Sequence, residues 1–525
     1  MQPTPQETPA SNAPAVNPWI VAIAVMFATF MEVLDTTVVN VSLPHIAGSL
    51  SVSVDEASWA LTSYLVANAI VLPITGWLAN YFGRKRTLLT AVFGFTCASF
   101  LCGLAPNLPM LIVFRVIQGA TGGCLQPLSQ AVMLEAFPPK DRGKAMAFWG
   151  LGIVVAPMLG PVLGGWLTDN YSWRWVFYIN LPVGLASILM TRLFIFDPPY
   201  IRRSGRGIDY WGIGMLGVAI ASLQIVLDKG QEADWFESSW IVALAVIAGA
   251  GLIAFIAREI LARDPVVHLG VFKLRTYSAG VFLMTVLGFV LYGSMLLLPI
   301  MLQTLLGYPA LDAGVAMAPR GLGSFLMMPV VGTVLGRFDP RKVLFAGLVG
   351  ASWTLYAFSQ LSLNAGYWDI FWPQFIQGAS LALLFVPLTT TTMDPIPKEE
   401  MGNATSMFNL MRNLGGSVGI ASATTFLFRR QQFHTHLLGA RVTAFNPQTM
   451  LRIQGMQSAM VAHGADPSTA MHQAWGALWG LIQQQASMEA FVDTFRALAV
   501  VFLLMIPLLA VMKRPRHHVR GAAMH

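Results

Sequence analysis

The chain has 525 residues, of which 55% are hydrophobic and only 11% charged, and its formal net charge is +7. An ordinary soluble domain carries about 25% charged residues, so too few polar groups are present to cover the water-facing surface of a soluble protein this long. The basic residues are scattered in short clusters beside apolar runs, which argues against a nucleic-acid surface, and neither a nucleotide-binding loop nor metal-ligand spacing occurs.

A helix needs roughly 20 mostly apolar residues to cross the hydrocarbon core. In chain order such stretches fall at 18–40, 57–80, 87–105, 110–134, 144–167, 174–196, 210–228, 239–261, 279–303, 313–335, 342–362, 370–393, 404–428 and 491–512. They predict an all-α membrane protein with about fourteen transmembrane helices. Residues 1–17 form a Pro-, Ser-, Asn- and Gln-rich tail without the basic segment of a signal peptide. Cys97, Cys102 and Cys124 all fall inside predicted spans and read as small packing residues rather than a disulfide framework.

Basic clusters occur in alternate loops: Arg84–Arg86, Lys140–Lys144, Arg202–Arg206, Arg258–Arg275, Arg337–Lys342 and the tail Lys513–Arg520. Cytoplasmic loops carry the excess of Lys and Arg. All these clusters share one side only if the number of spans is even, which puts both termini, including the basic tail 513–525, in the cytoplasm. The tail could also meet anionic lipid head groups. Residues 429–490 are then a long outer loop. His434 and His436 within it read as solvated.

The chain repeats itself. LPITGWLANYFGRKRTL at 72–88 aligns with MPVVGTVLGRFDPRKVL at 328–344, pairing Pro73 with Pro329 and Gly76 with Gly332. FRVIQGA at 114–120 aligns with PQFIQGA at 373–379, so the two offsets, 256 and 259, nearly agree. Both copies of the first segment end in a basic loop, so the repeat is parallel. It relates two six-helix halves, 18–196 and 279–512, with 210–261 inserted between them as a two-helix hairpin.

Charges inside such spans are expensive, from about 2.5 kcal/mol upward at a helix centre, and they mark working sites. Asp35 lies deep in the first span, and Glu32, three residues earlier, shares a similar helix face. Two neighbouring carboxylates in low dielectric make one of them a candidate proton carrier. Arg115, in the fourth span, keeps its charge and must find carboxylates or carbonyls. An Asp35–Arg115 contact that moved would couple conformation to protonation. The plainer alternatives are a helix-packing hydrogen bond or outer-leaflet cap for Asp35 and a snorkelling position for Arg115. Arg412 lies within the span 404–428 and Arg320 within 313–335, whereas Glu135 is near enough a span end to be an interface residue. The candidate substrate cavity comprises Trp59, Gln118, Trp149, Tyr292, Gln377, Phe408, Asn409 and Arg412. Tyr64, Trp372 and Phe375 are further aromatic wall candidates. The fifth span concentrates Gly152, Pro157, Gly160, Pro161, Gly164 and Gly165, which suits a kinked, closely packed seam.

At these residues a resemblance becomes specific. Gly76–Arg86, with Gly83, Arg84 and Lys85, resembles the cytoplasmic gate-loop motif of the major facilitator superfamily, with Asn80 where that motif usually has Asp. Arg115–Gly123 is similar to the fourth-helix motif linked to proton transfer, and Ala156–Gly165 to the fifth-helix motif of antiporters. Leu34–Pro44 and Trp173–Pro182 resemble motifs of the fourteen-span drug:proton antiporters within that superfamily, as do Leu227–Gly230 and Asp234–Phe236. The resemblance covers nearly the whole chain. It implies the major facilitator fold and a proton-driven antiporter, not an enzyme, exporting hydrophobic or amphiphilic drugs and toxins by alternating access. It gives Asp35 and Arg115 to proton coupling, with Glu32 beside them, and it calls for no cofactor beyond a proton gradient. It also implies a bacterial inner membrane, a periplasmic membrane-fusion protein and an outer-membrane channel. The alternative is a carrier of the same superfamily for one endogenous metabolite or lipid-like compound.

Overall fold

The computed structural model describes residues 17–197, 209–262, 266–335, 337–443 and 445–512. The N-terminal tail up to residue 16 and the basic clusters 202–206 and 513–520 lie outside the described residues. Among those described, the regular elements are all helical.

The first half contains α1 (Pro18–Leu50), α2 (Val54–Ala57), α3 (Trp59–Val71), α4 (Thr75–Phe82), α5 (Arg84–Leu104), α6 (Leu108–Gly122), α7 (Leu125–Ala136), α8 (Arg142–Asn170), α9 (Trp175–Tyr178) and α10 (Asn180–Phe194). The inserted hairpin is α11 (Tyr210–Lys229) and α12 (Ser239–Leu261). The second half contains α13 (Arg275–Thr304), α14 (Ala310–Val334), α15 (Pro340–Phe358), α16 (Tyr367–Met393), α17 (Met401–Gly439), α18 (Pro447–Ala462) and α19 (Pro467–Met505).

Local sequence explains where these helices start and break. Asn17 caps α1 by accepting the Trp19 amide at 3.0 Å, and Pro18 occupies the first helical position, where its missing N–H is not needed. The predicted span 57–80 is broken near Pro73, and its two parts bend by 58°. The predicted span 110–134 pauses at Gly123 and Cys124, because Pro127 has no amide to offer the Gly123 carbonyl four residues back.

Among the described residues, eleven helices are long and apolar enough to cross a membrane, or twelve if the bent pair is one span. The predicted count of fourteen needs α15 and α17 as well. Both are long helices packed within the bundle, but polar residues dilute them. Arg341 and Lys342 open α15, and α17 carries Asn403, Thr405, Ser406, Asn409, Arg412 and Asn413.

The repeat has a geometric counterpart. A Cβ on Gly76 of α4 would lie 2.6 Å from the backbone of Asn403 in α17, while one on Gly332 of α14 would lie 3.2 Å from the Cα of Lys144 in α8. Each half therefore presses the basic end of its second span against the fifth span of the other.

Within the first half, α8 lies along α1. Cβ atoms at Gly152, Gly160 and Gly164 would run into Met26, Thr37 and Val38 respectively, so these glycines set the separation of the two helices. Gly165, expected to belong to the same seam, faces open space instead, because it sits one position round the helix from Gly164. Pro157 and Pro161 are accommodated inside an unbroken α8.

The hairpin is attached to both halves. Asp228 accepts from Thr62, and the Lys229 ammonium lies 2.5 Å from Ser58, both tying α11 to α3 or its cap. Gln224 donates to Ser417 at 2.9 Å, and the Trp235 indole donates to Thr425 at 3.0 Å, tying the hairpin to α17. Only 17% of the apolar window of α12 is buried, so this helix forms the periphery.

The segment 429–490 is not an irregular loop. α17 continues to Gly439, α18 follows, and α19 begins at Pro467. Its Ala, Gln, Leu and Met residues favour helix, and Asn446 and Asp466 cap the two new starts. Ile453, Ala474, Leu478 and Ile482 close a small core of their own. His434 is not solvated as expected: its Nε2 lies 2.8 Å from Asp493, which also pairs with Arg430.

Two outcomes follow from this packing. Ile453→Ala removes a fully buried side chain at a cost of about 2–4 kcal/mol. Hydrogen exchange over 447–462 should quicken while α1 and α8 stay protected, and unchanged exchange there would mean that something other than this small core holds α18. Gly160→Val should lower the melting temperature and abolish transport, whereas Gly165→Val should leave the melting temperature unchanged; equal effects at both positions would refute the packing assignment.

Candidate functional site

Two buried polar networks occupy the centre of the first half. The first is built around Asp35, which is fully buried, as are Arg115, Gln118, Asn180 and Ser99. The Arg115 Nη1 donates to Asp35 Oδ2 at 2.6 Å, while the amides of Gln118 and Asn180 donate to Oδ1 at 2.9 and 2.8 Å. Arg115 also donates from Nε to the Ala60 carbonyl at 3.0 Å and from Nη1 to Gln118 Oε1 at 2.8 Å. Its guanidinium lies over the Tyr64 ring at 4.1 Å, and the buried Nη2 has no hydrogen-bond partner. Asn180 passes the network on to Ser99 at 3.0 Å. All these residues belong to the first half. The guanidinium and the two amides together fix the orientation of this carboxylate.

The second network is built around Glu32 and differs in one respect: it crosses between the halves. Glu32 accepts from Asn68 at 3.2 Å, from the Tyr64 hydroxyl at 3.5 Å and, on its other oxygen, from Gln126. The Gln126 carbonyl oxygen accepts from Arg412 of α17. One turn along α7, the Gln130 carbonyl oxygen accepts from Asn409 of α17 at 2.5 Å. The fully buried Phe408 stands beside Asn409. Relative movement of the halves would therefore break the Gln126–Arg412 contact one side chain away from Glu32, whereas the Asp35 contacts all lie within the first half.

The loop residues Gly83, Arg84 and Lys85 are held at the basic end of the bundle. Gly83 adopts φ +93°, a conformation glycine takes without strain. Arg84 pairs with Glu135, both largely buried, and its Nη2 donates to the Lys398 carbonyl of the second half at 3.5 Å. Lys85 is held by Asp197, through its backbone amide at 2.8 Å, and by the Arg192 carbonyl at 2.7 Å. Glu135 is thus the partner of Arg84, which itself reaches the second half, rather than a plain interface residue.

The expected cavity residues do not all come together. Gln118 belongs to the Asp35 network, not to a cavity wall, because its amide is used at both ends. Trp59 begins α3 at the far end of the bundle, half-buried near Lys229 at 5.7 Å, and so lies away from the others. Tyr292 packs on Gly416 within the second half. Trp149 does reach across the seam, donating to Thr29 at 3.1 Å and stacking on Phe385 of α16 at 5.9 Å. Gln377 is buried in α16. Trp372 is exposed on the outside of the bundle.

Sequence reasoning missed Gln126 and Gln130, whose spacing of four along an otherwise apolar helix was the available signal. It also missed Asn68 and Ser99 as members of the networks, and Asn180 appeared only inside a motif.

Residues 25–420 match the family model described as the Major Facilitator Superfamily. The multidrug export protein EmrB of Escherichia coli (strain K12) is 38% identical over 514 residues, covering 97% of this chain and 98% of that protein. Multidrug export protein EmrB of Haemophilus influenzae is 41% identical over 433 residues, covering 82% of this chain and 84% of the relative. Among solved structures, that of the proton:xylose symporter XylE bound to 6-bromo-6-deoxy-D-glucose superposes with a TM-score of 0.58 at 15% identity, covering 93% of this chain and 96% of that one, a likeness of fold alone. A match over most of the chain, and relatives alike along nearly their whole length, show that this multi-pass membrane protein belongs to the Major Facilitator Superfamily.

Proposed function

We propose that the chain is a proton-driven antiporter that exports hydrophobic or amphiphilic drugs and toxins across a bacterial inner membrane by alternating access. It crosses the membrane fourteen times, counting α15 and α17, with both termini in the cytoplasm. It uses no cofactor and draws on the proton gradient. It works as the inner-membrane part of a tripartite pump, with a periplasmic membrane-fusion protein and an outer-membrane channel. The export proteins it resembles along most of its length support the substrate class.

The observation that carries the reading is the pair of buried carboxylates, Asp35 and Glu32, set in separate hydrogen-bond networks. One is locked to Arg115 within the first half, and the other is wired through Gln126 to Arg412 of the second. Intramembrane acids facing such partners are the ordinary carriers of protons in transporters. A proton on Asp35 releases the Arg115 guanidinium. A proton on Glu32 weakens the bridge to α17 and frees the halves to rock. Gly76, Gly83, Arg84 and Lys85 close the cytoplasmic gate, and the α1–α8 seam set by Gly152, Gly160 and Gly164 moves as one unit.

The test uses proteoliposomes with an imposed pH gradient, following lipophilic dyes alongside lumenal pH. Wild type should exchange dye for protons. Asp35→Asn should lose that exchange, and it should also melt lower, because it strands a buried guanidinium at about 3–5 kcal/mol. Full gradient-driven efflux by this variant would sink the assignment. Glu32→Gln keeps an acceptor for Gln126 but cannot ionise. It should still exchange dye for dye across the membrane while ignoring the pH gradient, and wild-type gradient dependence would remove Glu32 from the coupling.

A further inference from the structure

The two halves place one guanidinium each at the same helix crossing, but only one of them has an anion. In the first half, Gly119 of α6 packs against the Tyr64 carbonyl of α3. Adding the repeat offsets, 259 and 256, leads to Gly378 of α16 and Arg320 of α14, and Gly378 packs against the Arg320 carbonyl in the same way. Arg320 therefore stands where Tyr64 stands, and Gln374 stands where Arg115 stands. The cation has changed helices, while the crossing is the same.

In the first half the cation is answered by Asp35 on α1. The corresponding helix, α13, contains no Asp or Glu, and neither do α15 and α17. α14 and α16 carry only Asp312 and Asp369, both in the first turn, and of the two acids of α19, Glu489 is not paired with Arg320 and Asp493 is taken by Arg430 and His434. Arg320 lies eight residues into its span, about 12 Å along the helix axis, and is only 7% exposed. Its side chain makes no ion pair or hydrogen bond with any described residue, and Nη2 is buried without a partner. The Gln374 carbonyl oxygen is buried and unpartnered too. A guanidinium keeps its charge, and a bare one in a low-dielectric interior is strongly unfavourable.

We infer that Arg320 is the anchor for the anionic group of a transported amphiphile, a carboxylate on an apolar chain, seated where the second half lacks the counterpart of Asp35. The neighbouring Gly321 faces the Met158 thioether of α8, so the apolar part of the ligand meets an adaptable side chain from the opposite half. This inference rests on the export reading for the direction of transport, but not for binding itself.

The experiment measures equilibrium binding of decanoate and decanol to the full-length protein in nanodiscs of zwitterionic lipid, at a pH where the acid is ionised. Wild type should prefer decanoate by about tenfold or more, the worth of a charge-assisted hydrogen bond. Arg320→Gln should lose that preference and bind decanol as before, and Arg320→Lys should keep part of it. Decanol binding reports that each variant is folded. Equal binding of the two ligands by wild type, or a loss shared by both in Arg320→Gln, overturns the inference. No gradient is present, so the antiport reading is judged separately: decanoate preference without gradient-driven transport would sink antiport alone, and gradient-driven dye efflux without decanoate preference would sink the Arg320 site alone.

Discussion

Everything in the first half is arranged round one constraint: a carboxylate and a guanidinium are held in contact where water does not reach. Taking two charges out of water is tolerable only if each remaining hydrogen-bonding position is nearly filled. Asp35 meets that demand with three donors from two helices, and Arg115 with a carboxylate, an amide, a backbone carbonyl and an aromatic face. These requirements fix the relative rotation of α1, α3, α6 and α10. The glycine seam between α1 and α8 then fixes how closely the fifth span can approach. The half behaves as a body because its most expensive groups can be satisfied in only one arrangement.

A second consequence concerns where movement can occur. The contacts between halves that carry hydrogen bonds are fewer and simpler: Gln126 with Arg412, Gln130 with Asn409, and Arg84 with the Lys398 carbonyl. The Gln130–Asn409 pair can trade its partner across the seam for another amide or for water without stranding a charge, whereas Arg412 and Arg84 must find new acceptors when the seam opens. Asp35 cannot leave Arg115 so cheaply. The division of labour between the two acids is thus imposed by their partners. Asp35 sits in a network that need not change on rocking, while Glu32 sits in one that must. On the proposed reading, a proton on Glu32 is read by the second half directly, through two residues.

Hydropathy made the helical bundle legible in the sequence and intramembrane charge the Asp35–Arg115 pair, because each is a large energetic departure from its surroundings, while the expected division into halves came from the internal repeat. What was not legible followed from weaker signals. Gln126 and Gln130 are neutral amides, whose presence in an apolar helix is only mildly unfavourable until a partner is known. Trp59 was grouped with the cavity because residue type says nothing of depth, and it lies at a helix end. Gly165 looked equivalent to Gly164, but a step of one residue turns a side chain about 100° round the helix. The helices of 429–490 were read as loop because they lack a long apolar run; their apolar residues serve a small local core rather than the lipid.

The duplicated architecture gives an independent standard for judging what is unusual. Where both copies agree, as at the glycines that pack Gly76 on α17 and Gly332 on α8, the repeat accounts for the residue by geometry alone. Where they differ, the difference needs a cause. The first copy places a phenol under a paired guanidinium; the second places a guanidinium in the phenol's position and has no acid on α13, the helix that corresponds to α1. A structural role would be served by Tyr, Leu or Gln there, any of which avoids the burial of a charge. The charge stands where no described residue pairs with it, and that asymmetry, rather than burial by itself, is the ground for reading Arg320 as a ligand contact rather than a packing residue.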